Sequence, residues 1–250
     1  MKKTKTSFIT NIAVVLFLAS ETIIYYLIHV SKTSSPISLR YLSIQISALF
    51  SWIFIALNLI KKEKGALTRA TSGYLLGLAM ICTLAADYFL VAIPEMERMR
   101  GMICFMGTQI FIFLHLISGE QSKKKRVKQL IFRITATLLM VMITFVVLGS
   151  NADSLAIISV IYYANLLTSL LFAPAHPYGG RLLCFGLILF ALCDINVGLA
   201  VLNDLYGGSF SEGSIIHSIL YSGVDLAWIF YLPSQAVIPL TILSSKRNKS

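Results

Sequence analysis

Eight long apolar runs leave this chain one way to fold. They lie at roughly 8–30, 37–60, 70–93, 101–118, 130–149, 152–173, 181–202 and 214–243. A helix needs about 20 residues to cross a hydrocarbon core, and most of these runs reach that length. The connections between them are short and polar. With 57% hydrophobic and 13% charged residues, the chain holds about half the charge of a soluble domain. It is therefore read as a single integral membrane domain over 1–250: an all-α polytopic fold of eight transmembrane helices in the cell membrane.

Charge sets the orientation. Of 21 Lys and Arg residues, only Lys32, Arg40, Arg98 and Arg100 fall on one side of this arrangement. The other side holds the amino-terminal lysines, the cluster Lys123 to Lys128, Arg133, which is counted at the start of helix 5, Arg181 and the basic tail. The excess of positive charge marks the cytoplasmic side, which places both termini inside. The formal net charge of +10 then reports orientation and attraction to anionic lipid, and no nucleic-acid partner is expected. Lys2-Lys3 before an apolar run resembles a signal peptide. The run continues past any small-residue cleavage point, so it is read as a retained first helix.

Several chemistries find no support. Cys82, Cys104, Cys184 and Cys193 all fall inside helices without framework spacing, so packing is their expected role and neither disulfide nor zinc. His29 and His217 fall near one surface and His115 and His176 near the other. Three of them cannot meet at one metal, so no metal and no cofactor is expected. No GxSxG, HExxH or Walker loop is present.

What remains are four acids inside apolar runs: Glu21, Asp87, Asp194 and Asp225. No basic residue is expected beside them at the same depth. A charged acid there costs on the order of 3 kcal/mol or more, so each is a functional candidate. They can hold protons, bind a cation or open onto water, and the three options correspond to an acid catalyst, a cation-coupled transporter and a polar cavity without turnover. Other polar residues share helix faces with them. In helix 8, Tyr221, Asp225, Trp228, Leu232 and Gln235 form one stripe, and Pro233 removes a helix hydrogen bond. In helix 6, Tyr162, Asn165 and Ser169 share a face, as do Phe105, Thr108, Gln109 and Ile112 in helix 4. The pairing of Asp87 in helix 3 with Asp194 in helix 7, each followed by a glycine-bearing aromatic helix, is compatible with a parallel 4+4 repeat and a site between its halves.

Three stretches resemble the lysoplasmalogenase, or YhhN-like, membrane family. One is Gly77 to Asp87-Tyr-Phe-Leu, followed by Met99-Arg-Gly-Met-Ile-Cys-Phe105. Another is Phe190-Ala-Leu-Cys-Asp194. The last is Trp228-Ile-Phe-Tyr231-Leu-Pro-Ser-Gln235, and Tyr162-Tyr163 and the eight-helix count also fit. Ala86 replaces a glycine, Cys193 a serine, Gln109 stands where a histidine is expected, and Pro233-Ser234 interrupts the closing motif. The resemblance implies hydrolysis of the vinyl ether of a lysoplasmalogen, a lysophospholipid, to a fatty aldehyde and a glycerophospho-headgroup. It implies catalysis by Asp87 and Asp194, with Asp225, Tyr162, Tyr231 and Gln235 as the supporting shell; Gln109, Asn165 and Glu21 join the substrate-binding or supporting candidates from their positions in the helices. A small proton- or cation-coupled transporter using the same acids is the competing expectation, and a sensor or assembly protein a third.

Overall fold

A computed structural model describes residues 2–29, 36–60, 66–92, 98–120, 122–205 and 225–244. Eight α-helices run through them: α1 (Lys2–His29), α2 (Pro36–Ile60), α3 (Ala66–Asp87), α4 (Arg98–Ser118), α5 (Lys123–Leu148), α6 (Ser154–Phe172), α7 (Gly180–Leu205) and α8 (Leu226–Leu240). Each contributes a stretch long and apolar enough to cross a membrane. The expected all-helical, eight-span architecture is therefore what forms.

Among the boundaries that differ from expectation, three bear on the polar residues inside the bundle. α5 starts at Lys123 rather than near residue 130, so the basic cluster is helical. Ser122 caps it by accepting from the Lys125 amide at 3.4 Å, and its lysines and arginines are good helix formers with no Gly or Pro among them. α3 ends at Asp87 and continues as one π-helical turn, Tyr88–Ala92. The run expected at 214–243 is not helical at Asp225, which precedes α8 with φ −78° and ψ 78°. Residues 214–224, including Tyr221 and His217, lie outside the described residues.

Within the bundle α8 is the hub. It packs against α7 most extensively and also against α2, α1 and α3. Its buried residues run almost all the way round: Tyr231, Leu232, Ser234, Gln235, Ala236, Ile238 and Pro239. α3 packs on α4 and α2, α4 on α6, and α5 chiefly on α6. α5 accordingly turns most of its surface outward, with Val146 84% exposed, as suits a helix facing lipid. Between helices the contacts include short polar bonds of the kind common in membrane bundles: Thr83 and Thr108 hydroxyls at 3.1 Å, and the Asn58 amide donating to the Ile242 carbonyl at 2.6 Å. The four cysteines are free thiols within helices.

Candidate active site

Asp87 is the last residue of α3 and is 3% exposed. It sits where the α-helix widens into the π-turn. Such a turn shifts the hydrogen-bond register and often marks a functional site. The wide turn is accommodated by Gly101 at the start of α4, where a Cβ would lie 2.4 Å from Leu90 Cγ. Facing Asp87 from α8, Tyr231 donates its phenolic hydrogen to Asp87 Oδ2 at 2.5 Å. A second pair of the same type forms between α6 and α7, where Tyr162 donates to Asp194 Oδ2 at 2.7 Å. Asp194 is half-buried, so the two carboxyls differ in their access to the surroundings. They lie within electrostatic range of each other.

An aromatic wall joins the pairs. The Phe190 ring, one turn before Asp194, is 5.5 Å from Tyr231 and 6.5 Å from Tyr162. Phe105 of α4 stands 5.6 Å from Tyr162 and 5.8 Å from Phe190. Trp228 meets Tyr231 edge-on at 5.3 Å. Four helices besides α3 thus converge on two carboxyls, each held by one tyrosine and flanked by apolar rings.

Other expected site residues distribute differently. Asp225 is not an unpaired buried acid. Arg40 of α2 donates to its Oδ2 at 2.6 Å, and the Asp225 side chain is 44% exposed. A basic partner at the same depth was not expected there, because Arg40 counts in sequence as an orientation charge. Glu21 is buried, but its bonds run to Ser43 and Ser47 on α2, the latter at 3.1 Å. Asn165 serves Arg133: its side-chain oxygen accepts from the guanidinium at 2.9 Å and its carbonyl at 3.0 Å. Gln235 donates to Ser234 Oγ at 3.1 Å. Gln109 is fully buried and both of its amide atoms lack a partner among the described residues.

Arg133, counted in sequence at the start of helix 5, is drawn into the bundle. It lies roughly 15 Å along α5 from Lys123 and is only 5% exposed. It is a cation buried between helices rather than an exposed one. Besides Asn165 it donates to Ser169 Oγ at 3.0 Å, and it stacks 4.4 Å over the Phe113 ring. The face shared by Asn165 and Ser169 in helix 6 was the available signal.

The histidines at the α7 amino-terminal end form a pair. His115 and His176 rings stack at 4.2 Å. His115 Nδ1 sits 2.8 Å from Ser72 Oγ, and His176 bonds the His115 carbonyl at 3.1 Å. A cavity of about 440 Å³ beside them is lined by His176, Gly179, Gly180 and Arg181, away from the tyrosine–aspartate pairs. Among the described residues no three His, Cys, Asp or Glu side chains converge as a metal site would require.

The fold and these pairs define a polytopic membrane protein with two tyrosine-held carboxyls inside the bundle. The chain belongs to the YhhN family, whose model matches residues 40–241. The match takes in Arg40, both tyrosine–aspartate pairs and Arg133, while Glu21 and α1 precede it. No curated protein and no solved structure matches the chain.

Proposed function

We propose that this protein is a membrane lipid hydrolase that cleaves the vinyl ether of a lysoplasmalogen. The observation that carries the reading is the placement of two carboxyls in unequal surroundings beside one aromatic wall. Paired carboxyls of this kind divide the work of acid and charge stabiliser in glycosidases, whose transition states also resemble oxocarbenium ions. Membership of the family supports the same class of reaction.

Asp87, cut off from the surroundings, takes the role of proton donor. Its O–H proton passes to the outer alkene carbon, and the alkene electron pair forms the new C–H bond. The adjacent carbon becomes an oxocarbenium ion, stabilised by the Asp194 carboxylate. Water adds to that carbon and gives a proton to Asp194. The resulting hemiacetal then collapses. Its hydroxyl proton returns to Asp87, the carbon–oxygen bond to glycerol breaks, and the leaving oxygen takes the proton from Asp194. One water is consumed, a fatty aldehyde and a glycerophospho-headgroup are released, and both carboxyls regain their starting states. Tyr231 and Tyr162 orient the two carboxyls throughout.

Aldehyde release from purified protein incubated with lysoplasmalogen tests the reading. Asp87→Asn and Asp194→Asn keep shape and hydrogen bonding but can neither donate the acid proton nor stabilise the cation. Each should lower turnover by about 10²–10⁴-fold, the usual share of general acid catalysis, while accumulating in the membrane like the wild type. Ile143→Ala, on the outward face of α5, should retain full activity. Loss of aldehyde release from the wild type itself, together with proton- or cation-driven uptake into liposomes, would replace the hydrolase with the transporter.

A further inference from the structure

The cavity beside His176 lies at the end of the bundle where α4 stops and α5 begins, and the carboxyl chemistry makes no use of it. Its volume of about 440 Å³ falls in the range of small-molecule sites. His176, Arg181 and Ser244 line it, and no Asp or Glu does. Arg181 is exposed there, and no carboxylate among the described residues pairs with it. Gly179 makes room for Ser244: its φ is 63°, and a Cβ there would lie 2.7 Å from Ser244 Oγ. His176 is 5% exposed, and its ring has partners in either charge state. In the neutral ring, Nε2–H donates to the His115 carbonyl at 3.1 Å and Nδ1 accepts from the Tyr178 amide at 3.3 Å. In the cation, Nδ1–H donates instead to the Tyr178 carbonyl at 3.0 Å. The ring can therefore gain a proton without orphaning either nitrogen. Burial lowers the pKa of His176, and the two carbonyls oppose this. The titratable groups around the ring are His115 of α4, stacked at 4.2 Å, Tyr178 at 6.0 Å, Arg181, and Glu120 just after Gly119. The Glu120 carboxylate is taken by the Ser122 amide at 3.0 Å and by Lys125. A protonated His176 beside Arg181 thus lacks a counter-charge among the described residues, and an anion in the cavity would supply it.

We propose that this cavity is a phosphate site, in which Arg181 and the protonated His176 hold the dianion and Ser244 donates a further hydrogen bond. A guanidinium with free donors, an imidazolium and a hydroxyl are groups that recognise phosphate oxygens. A Cβ at Gly119 would lie 2.4 Å from His176 Nε2, so the connection into the basic first turn of α5 packs against this ring. Those lysines, and the positive end of α7 at Gly180, add to the same field. The site is separate from the carboxyls. Gly180 and Asp194 are about 21 Å apart along α7 at 1.5 Å per residue, whereas a single glycerol unit parts headgroup from ether in a lysolipid. The phosphate bound here therefore belongs to a second molecule, either a lipid at the membrane face or a soluble phosphate ester. The site stands whichever reaction the carboxyls perform.

Sulfate is the probe for the anion, because its charge stays fixed over the range in which a histidine titrates. Thermal stabilisation of the full-length protein in detergent is read against chloride at equal ionic strength. Sulfate should stabilise the wild type, with several-fold higher affinity at about pH 6 than at about pH 8, because a bound anion holds the proton on His176. Arg181→Gln should weaken sulfate about tenfold, the loss of one charge-assisted bond, and keep the pH dependence. His176→Gln should bind weakly and equally at both pH values; should that variant not fold, the wild-type and Arg181→Gln profiles still decide. Lys124→Gln removes a like charge from the first turn of α5, outside the cavity, and should leave binding unchanged. Sulfate no better than chloride, equal losses in Arg181→Gln and Lys124→Gln, or affinity that does not rise as pH falls would each overturn the site. The source of the phosphate is read with glycerol phosphate in solution and phosphatidic acid in the micelle, against glycerol and diacylglycerol. Stabilisation by phosphatidic acid alone assigns the site to a lipid headgroup. Stabilisation by glycerol phosphate, with or without the lipid, assigns it to a soluble ester. Arg181→Gln should remove either effect, and stabilisation by neither compound would overturn the phosphate assignment.

Discussion

Tyr231 reaches from α8 to hold Asp87 at the end of α3, with its hydroxyl 2.5 Å from Oδ2. The bond links the hub helix to the helix whose last turn carries the buried carboxyl. Tyr231→Phe should therefore lower turnover by about 10–100-fold, in the range of losing one charge-directed hydrogen bond at a reacting group. The same substitution made on top of Asp87→Asn should cost nothing more, because residues acting through one bond are not additive. Aldehyde release by the two singles and the double measures this directly. Additive losses would show that Tyr231 acts on something other than Asp87.

Arg133 should tolerate no lysine. Its guanidinium makes separate bonds to the Asn165 carbonyl, the Asn165 side chain and Ser169 while lying flat over Phe113. A lysine has the charge but neither the fork nor the plane. Arg133→Lys should reduce stability by about 1–3 kcal/mol, the cost of orphaning buried polar partners. The melting temperature in detergent reads this, and an unchanged value would mean that α5 and α6 do not depend on the contact.

Gly101 and Gly198 make a matched pair of substitutions. A Cβ at Gly101 would press on Leu90 at 2.4 Å, whereas at Gly198 nothing lies within 4 Å. Gly101→Ala should destabilise by about 1–3 kcal/mol through overpacking. It should also reduce turnover, because Leu90 lies in the π-turn directly after Asp87. Gly198→Ala should leave activity intact and gain up to about 1 kcal/mol from helix propensity. Equal effects at the two positions would show that the π-turn does not depend on close approach by α4.

Topology can be measured at two described helix starts. Lys124→Cys in the first turn of α5 and Arg98→Cys at the start of α4 are compared in a cysteine-free background. An impermeant thiol reagent applied to intact cells should label position 98 and leave position 124 untouched until the membrane is opened. Labelling of position 124 from outside would invert the arrangement drawn from the positive charges.

The sequence determined the helix count, because length and hydropathy are properties of each segment alone. It also singled out Asp87, Asp194, Tyr162 and Tyr231. An acid in an apolar run is costly wherever it packs, and the resemblance already pointed to those positions. The pairing was a different matter. That Tyr231 meets Asp87 and Tyr162 meets Asp194 depends on which helices touch, and the partners are 144 and 32 residues apart. Nothing local in either segment encodes that choice. Arg40 and Arg133 show the same limit from the other direction. In sequence both count as charges that orient the chain. Only the packing of α2 beside α8 gives Arg40 the Asp225 carboxylate. Only the packing of α5 beside α6 brings Arg133 to Asn165 and Ser169, which replace the water it would otherwise need. The cost of burying a charge is known from the residue; whether a partner offsets it is decided by tertiary contact.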